Sequence, residues 1–77
     1  MITFYKAEFN KLLQITNIDY LSPQEEIHLA GEGIFIGTEI SKILSTPLKD
    51  FIECLVNNRL IGLPSELCNR ISVKESS

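Results

Sequence analysis

Apolar positions recur along much of this chain at intervals that suit helices. Phe9, Leu12, Leu13 and Thr16 follow an i, i+3, i+4, i+7 rhythm, with Lys6, Asn10, Lys11 and Gln14 mostly on the opposite side. The spacing predicts an amphipathic helix over about residues 3–16. Phe4 and Tyr5 extend its apolar side, and Asn17-Ile18-Asp19 breaks it, because Asn and Asp favour turns. Ser22-Pro23-Gln24-Glu25 reads as a second helix start: Ser22 can cap, Pro23 suits the first helical position, and Glu25 completes a capping box. That helix is expected to run to about Ala30, with Gly31 able to end it.

Gly33-Ile34-Phe35-Ile36-Gly37 is an apolar run between glycines, a brief strand or an extended lead-in. A third helix is predicted over Thr38–Leu44, capped by Thr38, with Ile40, Ile43 and Leu44 on one face. Pro47 then opens a fourth, capped by Thr46 and running to about Asn57, with Leu48, Phe51, Ile52, Leu55 and Val56 on its buried side. Asn58 suits a left-handed terminator, since Asn tolerates positive φ. Leu60 to Val73 has two apolar stretches around a Pro64-Ser65-Glu66 turn, and Arg70-Ile71-Ser72-Val73 alternates as a half-buried strand should. A small hairpin fits there. Lys74–Ser77 is a polar tail expected to fray. The expected fold class is therefore mainly α with a small β-hairpin.

Composition narrows the options. The 77 residues, 44% of them hydrophobic, suit one domain with one small core and are too apolar for a disordered chain. No stretch approaches the length of a membrane helix, and no signal peptide is evident, so the expected compartment is the cytoplasm and no membrane partner is expected. Cys54 and Cys68 lack a paired spacing with His28 for a metal, and they read as buried reduced thiols. Gly31-Glu32-Gly33 is a turn signal without the Lys-Ser/Thr of a phosphate loop. No nucleophile–base pair is suggested. An enzyme, a cofactor, a metal and a small-molecule substrate are therefore not expected.

Two short helices joined by a tight turn and followed by a hairpin suggest a helix-turn-helix with a wing. The stretch from Phe35 to Val73 resembles the winged helix-turn-helix of phage excisionases and of the DNA-binding part of MerR-type regulators. Ile40-Ser41 and Leu44 match the first helix, and Phe51 with Cys54-Leu55 matches the second. Asn58 stands at the family's helix-ending glycine, Leu60 follows, and Arg70-Ile71 falls where the wing returns. Ser45 replaces the turn glycine, and Asp50 and Glu53 flank Lys49 where the family's recognition helix is usually basic.

The resemblance implies a DNA-binding regulatory or recombination-accessory protein, acting on double-stranded DNA as a dimer or larger assembly. Its implied contacts are Lys42, Thr46, Lys49 and Glu53 on or beside the second helix, Asn69 and Arg70 on the wing, and Arg59 on the backbone. The alternative is a winged-helix protein–protein interaction module that docks on a nucleoprotein or transcription complex. In either case residues 1–34 form an N-terminal helical extension to the domain at 35–73. Phe4, Tyr5, Phe9 and Leu12 are its candidate partner-binding or homo-oligomer surface. The net charge of −3 lies wholly in that extension: residues 1–34 carry two basic against five acidic side chains, and residues 35–77 balance five against five.

Overall fold

Alternation, rather than helical rhythm, governs most of the chain. The computed structural model describes residues 2–76. It runs β1 (Ile2–Thr3), a single 3-10 turn (Phe4–Lys6), β2 (Leu13–Ile18), α1 (Pro23–Gly31), β3 (Glu39–Ser45), β4 (Phe51–Val56), β5 (Arg59–Pro64), α2 (Ser65–Cys68) and β6 (Ile71–Glu75). The strands form one six-stranded sheet in the order β1-β6-β2-β3-β4-β5. All neighbours are antiparallel.

The mainly α winged helix-turn-helix is thus corrected to a mainly β fold, and the reasons are local. In β4, Ile52, Cys54 and Val56 are buried while Phe51 and Leu55 are exposed. Apolar side chains on the outer face filled the alternate positions, so a period of two looked like a helical stripe. In β3 the inward positions are Ile40 and Lys42, and a bulge separates Lys42 from Leu44 in the pairing with β4. A buried lysine and a register shift together hid the strand. Residues 3–16 contain no long helix: Phe4 is buried at the 3-10 turn, and Leu13 and Ile15 point inward from β2.

Other elements follow their local chemistry. Helix α1 starts as its capping box requires: the Ser22 hydroxyl accepts from the Glu25 N–H, and the Glu25 carboxylate accepts from the Ser22 N–H. The alternation at Ile71-Ser72-Val73 lies in β6. Asn57 and Asn58 both take positive φ, 52° and 62°, and form the two-residue turn joining β4 to β5. Asn58 is left-handed as expected, but in a hairpin rather than after a helix. The hairpin expected around Pro64-Ser65-Glu66 is replaced by the start of α2. Gly33 takes φ +78°, a left-handed conformation that residues with a Cβ rarely adopt, and a Cβ there would also displace the Asn57 side-chain amide.

The N-terminal segment is no extension. Strand β2 lies between β6 and β3, and β1 pairs with β6. Lys74 and Glu75, expected in a frayed tail, pair with Gln14 and Leu13, and the Ser76 N–H bonds to the Leu12 carbonyl. Ser77 lies outside the described residues. The sheet curls so that side chains from both of its ends meet in one core. That core includes Phe4 beside β1, Leu63 from β5, Leu29 from α1 and Leu67 from α2. Among the described residues, no helix is long and apolar enough to cross a membrane.

Candidate functional site

The residues expected to contact DNA do not share a surface. Lys42 is 6% exposed and points into the fold. Its ammonium donates to the Tyr5 carbonyl at 2.6 Å and the Ala7 carbonyl at 3.0 Å, and it stands 4.4 Å from the centre of the Phe9 ring. Burial lowers its pKa, and the nearby Cys68 works the other way. Thr46 and Lys49 lie in the β3–β4 connection. The Thr46 hydroxyl accepts from the Phe51 N–H, and the Lys49 carbonyl accepts from the Ser65 hydroxyl. Glu53 sits midway along β4, and Arg59 at the start of β5 reaches across to Glu32. Asn69 caps α2 from its C-terminal side.

Arg70 is the best-anchored of these side chains. Its guanidinium donates to both carboxylate oxygens of Glu25, at 3.0 and 2.5 Å, and to the Tyr20 carbonyl at 2.8 Å. Arg70 holds the Glu25 carboxyl well below the ordinary range, at about 2, with help from the Ser22 N–H. Glu25, Arg70 and Ser22 line a cleft of about 510 Å³ with His28, Glu66 and Pro64. The cleft gathers ionisable groups, but Glu25 is already engaged with Arg70. Among the described residues, no three His, Cys, Asp or Glu side chains converge as metal ligands would. Cys54 and Cys68 are buried free thiols, each pushed up to about 12 by burial, so neither is a thiolate at neutral pH.

Of the expected partner-binding residues, Phe4 is fully buried and Tyr5 half-buried, while Phe9 and Leu12 remain exposed. Sequence reasoning missed two other apolar surfaces. One is a groove of about 560 Å³ beside α1, walled by Ile18, Leu21, Leu29, Ala30, Ile34 and Phe35. The other is the outer face of β3, β4 and β5. There Leu44 lies beside Glu53, and Leu55 beside Leu60, with Phe51 at the end of the row. The signal was present as apolar residues at both alternate positions of β4, a pattern one buried face does not require.

The comparisons with known proteins bear on the fold. No family model matches the chain, and no curated protein matches it in sequence. Its structure is similar to iron(II) transport protein A from Clostridium thermocellum, with a TM-score of 0.85 and 26% identity. That match covers 96% of this chain and 45% of the other, so this chain spans less than half of that protein's length. It is also similar to the FeoA protein from Chlorobium tepidum, with a TM-score of 0.87, 18% identity and coverage of 99% and 71%. IdeR of T. acidophilum matches at a TM-score of 0.84 and 23% identity, over 97% of this chain and 34% of its own. These neighbours share a small SH3-like β fold. That fold overturns the likeness to excisionases and MerR-type regulators, and with it both the DNA-binding and the winged-helix docking readings.

Proposed function

We propose that this chain is an FeoA-like accessory protein of iron(II) transport, working in the cytoplasm by contact with another protein and without catalysis. The observation that carries this reading is the fold match over 96% of the chain to a protein named for iron(II) transport. Two features of the molecule support it. Phe51, Leu55 and Leu60 form an apolar row on the outer face of the sheet, a surface suited to a protein neighbour. The ionisable side chains with the best-defined geometry are already engaged by the protein itself: Lys42 is buried against two carbonyls, and Glu25 and Arg70, which line a cleft, are paired with each other. Reduced, buried Cys54 and Cys68 agree with a cytoplasmic setting.

The test is iron uptake. Cells of the source organism that lack this gene should take up ferrous iron more slowly under reducing, iron-limited conditions, and the intact gene should restore the rate. An unchanged rate of ferrous uptake in the deletion strain would overturn the proposal.

A further inference from the structure

Strand β5 ends the sheet on one side, and its free edge has a definite hydrogen-bonding pattern. In a hairpin closed by two residues, the pair flanking the turn exchanges both backbone bonds. That pair is Val56–Arg59, so the alternation makes Cys54–Ile61 and Ile52–Leu63 the next bonded pairs. The N–H and C=O groups of Leu60 and Gly62 therefore point away from β4. Among the described residues, none outside the ladder bonds to them. Leu60 is 57% exposed, Gly62 is exposed, and a Cβ built on Gly62 would meet nothing within 4 Å.

Sheet edges are normally protected by a lysine, an inward charge, a proline or a bulge. From Leu60 to Leu63 this edge has none of these, and Pro64 comes only at its end.

We infer that β5 pairs with β5 of a second copy of this chain, antiparallel about a two-fold axis at Ile61. This register sets Leu60 opposite Gly62 of the second copy and Gly62 opposite its Leu60. Each such pair exchanges both of its outward backbone bonds. Each Leu60 side chain then lies over the open space at a glycine, so bulk meets vacancy twice by symmetry.

Charge selects the same occupant. Two-fold pairing sets a segment against itself, so any charge near the axis would meet its own sign. The chain carries a net −3, yet Leu60–Ser65 carries no charge, and Arg59 is drawn away to Glu32. The pairing extends the apolar row of Phe51, Leu55 and Leu60 into a continuous face across two copies. It stands independently of the iron-transport reading.

The test uses the full chain in solution. Sedimentation over a concentration series should give a mass approaching twice 8.7 kDa. Amide exchange at Leu60 and Gly62 should slow as the dimer fills. Leu60→Lys adds the charge such edges usually carry, at a side chain the monomer leaves exposed. Gly62→Pro removes an outward N–H that the intrachain ladder does not use. Each should raise the dimer dissociation constant at least about tenfold. Leu48→Lys, at an exposed position in the β3–β4 connection, should leave it unchanged. Circular dichroism confirms that each variant is folded. A monomer at every concentration up to millimolar would overturn the proposal. So would a dimer that survives both edge substitutions, or one whose Leu60 and Gly62 amides exchange as fast as in the monomer.

Discussion

Lys42 illustrates how one residue can mislead a pattern and hold a fold. It occupies an inward position of β3, where alternation calls for an apolar side chain. Its ammonium bonds two carbonyls of the segment after β1, and so ties the N-terminal turn to the middle of the sheet. Removing it leaves those acceptors without their donor in the interior. Lys42→Met should lower the unfolding free energy by about 1–3 kcal/mol, the cost of unsatisfied buried polar groups, partly offset by the apolar replacement. Urea denaturation reads this, and a variant as stable as the parent would show that the carbonyls find water instead. Nothing in the sequence near Lys42 names its acceptors, because Tyr5 and Ala7 lie 37 and 35 positions away.

At the scale of elements, α1 and the alternation of β6 were legible and the other strands were not. Ser22, Pro23 and Glu25 act within one turn, so their geometry is set by covalent proximity. The long-range partner Arg70 was invisible for the same reason that Lys42 was. The Glu25–Arg70 pair has a consequence for acid stability. The folded carboxyl, at about 2, titrates below its ordinary 4.5. The pair therefore contributes fully above pH 4.5, and its contribution is lost as pH falls from there toward about 2. Thermal unfolding followed across this window should show the loss, and Glu25→Gln should flatten that part of the profile. An unchanged acid limb in the variant would locate the dependence in other carboxylates. Strands β3 and β4 failed to show themselves because their outward residues Leu44, Phe51 and Leu55 are apolar. The same residues make the candidate interaction surface, so the misreading and the site share one cause.

At the scale of the molecule, the order of strands departs from the order of the chain. Strand β6, the last element, lies between β1 and β2. It bonds to both, and Ile71 and Val73 are buried in the core. A chain shortened before Ile71 should therefore not fold. Its far-ultraviolet dichroism and amide dispersion should be those of a disordered chain, although only a terminal segment is missing. A native-like spectrum from that truncation would contradict the topology. The charge division between the two halves of the sequence also loses its meaning here. Lys11 meets Glu75, Glu25 meets Arg70 and Glu32 meets Arg59, so the acidic first half is interleaved with the second.

By itself, the amino-acid sequence determined what depends on neighbours in the chain. The capped start of α1, the left-handed Asn58 and the alternation around Ile71 were readable from a few adjacent residues. The tertiary structure alone decided which period governed β3 and β4, because apolar side chains on both faces satisfy helix and strand equally until pairing chooses. It also decided the role of Lys42, Arg59 and Arg70, whose partners are remote. The free edge of β5 belongs to this second class as well. A strand shows its unpaired backbone groups only when every other strand has found its place.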